Sequence, residues 1–330
     1  MAKYILKRLA LSVLILLGVS LIIYVLIRLM PVDFIENKIN QMNQGGATIP
    51  QETVDALYAT YGIGDDSFLG IIQGYLNWLL NICKFDFGTS FKYGLPVTQV
   101  IASKMGVSFA VALIATVFEF MIAIPLGITA ATHQYSFRDY LTTFLVMVGI
   151  SLPSFFFGQM LKNIFAYNLG WLPPTGMVEA GSSSVGFALL IEYVQHMILP
   201  ILTIVILSIG PRMRMTRTNM LEVMNSDYIR TARAKGLKES KVINKHAFRN
   251  TLIPLVTTMA GLLPSLFSGA IITEQVFGLD GIGNVALAAM NEGDIPFIMG
   301  YNMFLALLSV IGVLLSDLMY AIVDPRVKLE

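Results

Sequence analysis

The sequence predicts an all-α, polytopic membrane protein with about six transmembrane helices. Of its 330 residues, 55% are hydrophobic and only 13% are charged, whereas a soluble domain carries about 25% charged residues. Basic and acidic residues are concentrated in different segments, as in loops on opposite sides of a bilayer. Six apolar runs approach the length of about 20 residues that a spanning helix needs. They cover residues 9–27, 105–131, 140–167, 196–211, 252–272 and 297–323.

The first run is predicted to be an uncleaved membrane span. It follows three basic residues, as a secretory signal would, but it is long, ends at Arg28 and lacks a following small-residue cleavage site. Residues 1–31 are therefore the first domain, and residues 32–104 are placed outside the cytoplasm as the second. Within that outer segment, mixed apolar spacing over residues 68–83 predicts a helix at the membrane interface, with Trp78 as its anchor.

The other five runs form a core over residues 105–330, and three charged residues lie within their apolar stretches. Glu119 is near the middle of the second run, and Asp317 is close to the inner end of the sixth. Intramembrane carboxylates mark a transport pathway or a structural hydrogen bond between helices, and both interpretations stay open for Glu119. For Asp317 we expect a structural partner near Arg212. Lys162, in the third run, is expected to extend to the membrane surface.

The charges between the runs predict the orientation. Residues 212–249 carry ten basic residues against three acidic ones, a net charge of +7, and residues 274–296 carry four acidic residues and no basic one. Because positively charged loops stay in the cytoplasm, the first segment is predicted to be cytoplasmic and the second to lie outside. With six spans, both termini are then cytoplasmic, which agrees with the basic residues near each end.

We find no sequence pattern that predicts chemistry by the chain itself. The glycine-rich stretch 277–284 lacks the strand and helix of a dinucleotide-binding unit, so it predicts a tight turn. No Walker-type sequence occurs, and the three histidines show no metal-ligand spacing. Basic residues are ordinary in a cytoplasmic loop of a membrane protein and do not indicate nucleic-acid binding. We therefore expect no catalytic residue, no metal site and no cofactor.

One segment of the predicted cytoplasmic loop has a pattern suited to docking. Ser226 or Asp227 can cap a helix start, residues 229–235 favour helix, and Gly236 can end that helix in the left-handed conformation. Its small side chains would let another protein approach closely, and they belong to Thr231, Ala232 and Ala234. The alternative is a solvated basic connection between two spans.

This segment and several others resemble one known family, and the likeness extends over nearly the whole chain. The motifs that carry it are Tyr4-Ile5-Leu6-Lys7-Arg8, Phe87-Gly88-Thr89-Ser90-Phe91, Leu169-Gly170-Trp171-Leu172-Pro173, Tyr228-Ile229-Arg230-Thr231-Ala232-Arg233-Ala234-Lys235-Gly236-Leu237, His246-Ala247-Phe248-Arg249-Asn250 and Asp317-Leu318-Met319-Tyr320-Ala321. Together they are similar to the dipeptide, oligopeptide and nickel permeases of ABC importers. Residues 228–237 would then correspond to the cytoplasmic EAA loop of the wider superfamily.

The resemblance implies a type I ABC importer permease fold, with a cytoplasmic coupling loop over residues 212–251. The ATPase-coupling residues that it implies are Tyr228, Arg230, Thr231, Ala232, Arg233, Ala234, Lys235, Gly236 and Leu237. This chain has Arg-Thr-Ala where the general pattern has Glu-Ala-Ala, and Arg249 where the pattern has proline. Both departures resemble the first of the two permease subunits of peptide importers.

The resemblance also implies partners and a location. The chain would pair with a second, homologous permease subunit in the lipid of a bacterial inner or plasma membrane. Two ATP-binding subunits would bind on the cytoplasmic side and hydrolyse the ATP, and an extracytoplasmic solute-binding protein would deliver the solute. Oligopeptide is the first expectation for that solute, dipeptide the second, and nickel or a metal chelate the third. A proton-coupled secondary transporter is the alternative from another class, and it would need better connected buried carboxylates.

Overall fold

The computed structural model describes residues 2–28, 67–258 and 261–323. Within them every regular element is a helix, apart from one bridge between Thr89 and Pro96, so the all-α prediction is confirmed. The helices are α1 (Ala2–Arg28), α2 (Phe68–Cys83), α3 (Val97–Thr132), α4 (Phe137–Ser151), α5 (Ser154–Leu161), α6 (Phe187–Met224), α7 (Asp227–Ala234), α8 (Glu239–Lys241), α9 (Phe248–Thr258), α10 (Leu262–Phe267), α11 (Ile271–Phe277), α12 (Ile282–Glu292) and α13 (Ile295–Val323). Two π-helical segments, Lys162–Asn168 and Val242–Ala247, continue α5 and α8.

Four of the described helices, α1, α3, α6 and α13, are long and apolar enough to cross a membrane. Two bent pairs raise the number to 6 if each pair counts as one span. The first pair joins α4 to α5 and its π-helical extension, and the second joins the α10–α11 stretch to α12. The prediction of about six spans therefore agrees with the structure only when bent spans are included.

The third predicted run, residues 140–167, is wrong as a straight helix. Its two halves meet at an angle of 102°. Leu152 and Pro153 both have extended backbone between α4 and α5, and proline disfavours the helical conformation in the residue before it. The apolar composition continues through this bend, so composition alone predicted one continuous helix.

The fourth predicted run, residues 196–211, is only the middle of α6, which has 38 residues. Pro200 and Pro211 lie inside this helix, although proline removes a helical hydrogen bond. Ending the run at Pro211 contributed to making the predicted span too short. As a result, the first three arginines of the predicted cytoplasmic loop lie on α6, and the connection begins only after Met224.

The fifth predicted run, residues 252–272, is likewise wrong as a single helix. α9 ends at Thr258 and α10 begins at Leu262. Gly269 has a φ of +70° and separates α10 from α11. The candidate span lies further along the chain, over Leu262–Phe277 and Ile282–Glu292, whose axes differ by 85°.

The described residues divide into two compact units. The first draws on the chain up to Met105 and on Val285–Val310, and the second on Gly106–Asn284 and the chain from Ile311 onward. Most of the outer segment predicted at residues 32–104 lies outside the described residues, and only its part from Ser67 onward is considered below.

Aromatic side chains form the core of the first unit. Tyr24 of α1 and Trp78 of α2 are 1% and 2% exposed and have ring centroids 6.0 Å apart. The helix predicted at residues 68–83 is confirmed, and the Ser67 side chain caps it by accepting a hydrogen bond from the Gly70 N–H. Trp78 is not an exposed interfacial anchor as predicted, because it packs in this core.

A buried carboxylate organises another part of the first unit. Asp294 is 1% exposed and accepts hydrogen bonds from the hydroxyl of Ser90 and from the backbone N–H groups of Phe91 and Lys92. The motif Phe87-Gly88-Thr89-Ser90-Phe91 therefore has a structural role, since its turn wraps one carboxylate. In the sequence Asp294 was counted among the four acidic residues of the segment 274–296 that is predicted to lie outside, and the structure shows that it is a core residue.

Helices of the second unit pack very closely in places. A Cβ on Gly127 of α3 would lie 2.6 Å from the Cβ of Thr216 on α6. The two helices can therefore approach this closely only because residue 127 has no side chain.

Lys162 is only 6% exposed, and its Nζ donates to the carbonyl of Val276 at 2.7 Å. The prediction that Lys162 extends to the surface is therefore wrong.

Candidate functional site

The predicted docking helix forms as α7. Ser226 has the extended backbone of an N-cap, but its hydroxyl donates to the carbonyl of Val223 at 2.6 Å, so the predicted side-chain cap is absent from this helix start. At the other end, Gly236 has a φ of +74° and its N–H donates to the carbonyl of Arg233 at 2.9 Å. The left-handed helix end predicted at Gly236 is confirmed.

One face of α7 is packed against the rest of the second unit. Ile229 and Ala232 are 0% and 7% exposed. The buried side chains that they join come from α3, α6 and the π-helical segment after α8, and they are Ala131, Met220, Val242 and Ala247. Ala232 is therefore not available for docking, contrary to the prediction, because its own chain covers it. Leu237 packs half-buried against the same cluster.

The opposite face of α7 is open to solvent. Tyr228 is 47% exposed, and the other exposed side chains of this face and of the turn after it are Arg230, Thr231, Arg233, Ala234 and Lys235. A helix that is fixed on one side and exposes an aromatic, small and basic surface on the other is suited to transmit a force from a partner to α3 and α6.

An ion pair connects the end of α7 to the start of α8. Arg233 donates to Glu239 with an Nη2–Oε1 distance of 2.7 Å, and both side chains are about half exposed, at 40% and 54%. The hydrogen bond from Arg233 lowers the pKa of the Glu239 carboxyl below its ordinary value. The pair bridges the turn at Gly236, so it favours one direction for the chain that leaves the helix.

Glu119 forms a structural ion pair between membrane helices. Its Oε1 accepts from the Nε of Arg212 on α6 at 2.9 Å, and the Nη1 of Arg212 donates to the hydroxyl of Thr258 on α9 at 3.0 Å. The guanidinium also lies 4.5 Å from the ring centroid of Phe120. Side-chain exposures of 16% for Arg212 and 11% for Glu119 leave both groups partly accessible.

Asp317 lies half-buried on α13. Arg212 itself is paired with Glu119, and a structural partner for Asp317 near Arg212 stays a prediction. The neighbouring Ser316 donates to the carbonyl of Val256 on α9 at 3.3 Å, so this part of α13 is held against α9.

A second ion pair on α6 is formed by Arg217 and Asp139 of α4. It is bidentate, with distances of 2.9 Å from Nε to Oδ1 and 2.9 Å from Nη2 to Oδ2. Asp139 also accepts from the backbone N–H of Tyr135 at 3.1 Å. Asp139 is only 4% exposed, so this pair is a closed structural contact.

The glycine-rich stretch 277–284 contains the predicted turn, at residues 278–281 between α11 and α12, and it surrounds another buried carboxylate. Glu274 on α11 is 1% exposed. It accepts hydrogen bonds from the hydroxyl of Ser108 at 2.6 Å and from the backbone N–H of Asn284 at 3.1 Å. A Cβ on Gly281 would lie 2.5 Å from the Glu274 carboxyl carbon. Glycine is needed at position 281 for close approach to this carboxylate.

The sequence interpretation missed several partners rather than the charged residues themselves. The pairing of Glu119 with Arg212 was missed because Arg212 was assigned to a loop. A span extended through Pro211 would have placed both groups at membrane depth, where opposite charges pair. The burial of Glu274 was missed because the acidic residues of its segment were used only to predict the orientation. Among the described residues no group of three or more His, Cys, Asp or Glu side chains is suited to hold a metal ion.

A comparison with known protein families identifies the class of this all-helical chain. Residues 123–329 match the family described as binding-protein-dependent transport system inner membrane component. The match covers more than half of the chain, so the protein belongs to this family. The resemblance seen in the short motifs is thereby confirmed.

Relatives of this chain are named as peptide permeases. It is 36% identical to the oligopeptide transport system permease protein AppB of Bacillus subtilis over 99% of this chain and 100% of that protein. It is 34% identical to a putative peptide transport system permease protein of Brucella abortus over 100% of both chains. It is also 30% identical to the dipeptide transport system permease protein DppB of Escherichia coli over 99% of both chains.

A solved structure shares the fold. A chain of the MetNI methionine ABC transporter, in an inward-facing conformation, superposes with a TM-score of 0.52 over 69% of this chain and 97% of that chain. The sequences are only 13% identical, so the likeness concerns the fold. The predicted fold class, an all-α importer permease, is confirmed.

Proposed function

We propose that this chain is the membrane permease subunit of an ATP-driven, binding-protein-dependent importer of peptides, and that α7 couples it to an ATPase. The observation that carries the proposal is the two-sided construction of α7. Ile229 and Ala232 fix one face to α3 and α6, while Tyr228 and the basic residues of the other face stay in solvent. A push on the exposed face would therefore tilt two membrane helices without any contact with the solute.

The proposed assembly has four further components and a bilayer. A second, homologous permease subunit forms the other half of the transport pathway. Two ATP-binding subunits hydrolyse ATP, and the exposed face of α7 is the surface that contacts an ATP-binding subunit. An extracytoplasmic solute-binding protein delivers the solute. Family membership supports the binding protein and the membrane setting, and the departures at Arg230 and Arg249 support the first of two permease positions.

The proposed orientation places α7 and both termini in the cytoplasm of a bacterial cell, with the complex in its inner or plasma membrane. The connection that remains after Met224, residues 225–249, still carries seven basic against two acidic residues. Such a segment is retained on the cytoplasmic side. Glu274 and Asp294 are buried. The segment 274–296, which is proposed to lie outside the cytoplasm, therefore has fewer solvent-exposed carboxylates than its sequence suggested.

We place oligopeptides first among the solutes, dipeptides second and nickel or metal chelates third. The names of the relatives at 36% and 30% identity favour peptides. A proton-coupled mechanism gains no support from Glu119, because this carboxylate is held in an ion pair with Arg212 at 2.9 Å.

Two alanines of α7 give a matched test of coupling. Ala234→Trp enlarges the exposed face, so we expect normal protein in the membrane but loss of ATPase co-purification, of stimulated ATP hydrolysis or of peptide uptake in proteoliposomes. Ala232→Trp enlarges the buried face, where overpacking costs roughly 1–3 kcal/mol. That variant should instead lower the amount of folded permease.

The contrast between the two variants decides the proposal. Normal co-purification, hydrolysis and uptake in Ala234→Trp would show that the exposed face is a solvated connection. Peptide uptake that does not depend on ATP or on the binding protein in the wild-type complex would contradict the proposed importer function.

A further inference from the structure

The ion pair of Glu119 and Arg212 lies on the wall of a cavity. This cavity has a volume of about 400 Å³, which is within the range of roughly 300–1,000 Å³ typical of small-molecule sites. Its size suits a short stretch of a solute rather than a whole oligopeptide. The lining residues come from α3 and α6 of the second unit, and they are Glu119, Leu207, Ser208, Pro211, Arg212 and Met215.

The two charged groups that line the cavity retain hydrogen-bonding capacity. Arg212 uses Nε for Glu119 and Nη1 for Thr258, and Glu119 uses Oε1 for Arg212. Within the described part of the chain, no hydrogen bond is made by Nη2 of Arg212 or by Oε2 of Glu119. Neither atom is among the described side-chain atoms that are both buried and unsatisfied. Two residues of the cavity lining thus have one unused donor and one unused acceptor.

The second ion pair of α6 shows that this arrangement is not a general property of the helix. Asp139 uses both carboxylate oxygens for Arg217, and one of them also accepts the N–H of Tyr135. The side chain of Asp139 is 5% exposed. The carboxylate of the Arg217–Asp139 pair has hydrogen bonds at both oxygens. The Arg212–Glu119 pair has an unused donor and an unused acceptor, and both of its residues line a cavity.

We propose that the cavity binds the main chain of the transported solute, a deduction that rests on the proposed function in peptide import. Arg212 donates from Nη2 to a carbonyl or terminal carboxylate oxygen, and Glu119 accepts at Oε2 from an amide N–H or terminal ammonium. Every peptide carries these groups whatever its side chains, so the site suits a transporter of mixed peptides. Leu207 and Met215 supply an apolar wall, and methionine adapts to varied shapes.

The ion pair itself explains why binding at this site stays weak enough for release. Glu119 and Arg212 already neutralise one another, so the solute gains hydrogen bonds but no net ionic attraction. Thr258 and the ring of Phe120 hold the guanidinium in place. The guanidinium of Arg212 therefore has a fixed orientation before the solute binds.

The test uses the complete transporter in proteoliposomes, with trialanine and a trialanine analogue methylated at one amide nitrogen as probes. The quantity measured is the ratio of their ATP-dependent uptake rates. The binding protein is the same for every variant, so a change in this ratio between variants reports the permease. The double variant Glu119→Gln/Arg212→Gln removes both charges and should reduce the preference for trialanine by about tenfold, the scale of one charge-assisted hydrogen bond.

A milder variant keeps the test decisive where the double variant fails to assemble. Arg212→Lys preserves the positive charge opposite Glu119 but lacks the second nitrogen of the fork, so the ratio should again fall. The matched control is Arg217→Lys, which changes the same residue type in the closed pair and should leave the ratio unchanged. An unchanged ratio in assembled Arg212→Lys, or an equal change in Arg217→Lys, overturns the proposed site. Failure of the wild-type complex to import trialanine would instead count against the importer function itself.

Discussion

Two helices of the second unit end at glycines with left-handed backbone, and the surroundings of these two ends differ completely. α11 ends at Gly278 with a φ of +61°, and the chain after α7 turns at Gly236 with a φ of +74°. Beyond α11 the chain closes around the buried Glu274, with Gly281 in near contact. Around Gly236, no atom lies within 4 Å of where a Cβ would be. The same backbone conformation thus builds a packed turn in one place and an open turn in the other.

The largest expected effect breaks the packed turn. Gly281→Ala would place a Cβ 2.5 Å from both the Glu274 carboxyl and the Ser108 hydroxyl oxygen. Overpacking of this kind costs roughly 1–3 kcal/mol, so we expect a clear fall in the thermal stability of the purified permease. Gly106→Ala is the control, because a Cβ there meets nothing within 4 Å. Equal stability of the two variants would show that the packed turn relaxes freely.

The next effect concerns the carboxylate at the centre of that turn. Glu274→Gln keeps the shape but turns one acceptor into a donor, which would face the N–H of Ala270 or of Asn284. A buried donor left unsatisfied costs about 1–3 kcal/mol. Glu239→Gln makes the same change in the open segment and should alter stability by less than about 0.5 kcal/mol. Thermal unfolding of both variants side by side checks the contrast, and a larger loss in Glu239→Gln would reverse it.

The two turns differ in how well the sequence predicted them, because one depends on local signals and the other on contacts between distant residues. The helix ended by Gly236 was predictable because local propensity and a glycine determine it. The burial of Glu274 was not, since it depends on Ser108, which lies 166 positions away in the chain. The inward position of Ala232 was missed for a related reason: one face of α7 is covered only once α3 and α6 are placed. Local elements could be predicted from the sequence. Contacts between residues far apart in the chain, and the bends inside apolar runs, could not.

A smaller effect is expected from the open turn. Gly236→Ala adds no clash, so its cost is the left-handed backbone alone, about 1 kcal/mol. Permease abundance should stay normal, while peptide uptake per ATP hydrolysed should fall because the turn after α7 is loosened. Gly236→Asn is the control, since asparagine tolerates this conformation, and it should keep most of the coupling. Loss of abundance in Gly236→Ala would mean that this turn is as tightly packed as the one at Gly281.

The smallest effect concerns the ion pair that bridges the open turn. Arg233 and Glu239 are 40% and 54% exposed, and exposed pairs contribute about 0–1 kcal/mol, so their interaction energy should be at most of that size. The hydrogen bond from Arg233 lowers the pKa of Glu239 from its ordinary 4.5. A lowered folded-state pKa stabilises the fold above pH 4.5, and that contribution is lost as the pH falls through the folded value. A double-mutant cycle of Arg233→Ala and Glu239→Gln should therefore give a small interaction energy at pH 7 that weakens with added salt and disappears in acid. An energy well above 1 kcal/mol that resists salt would mean that the pair is shielded, and that the segment around α7 is more enclosed than its exposed side chains indicate.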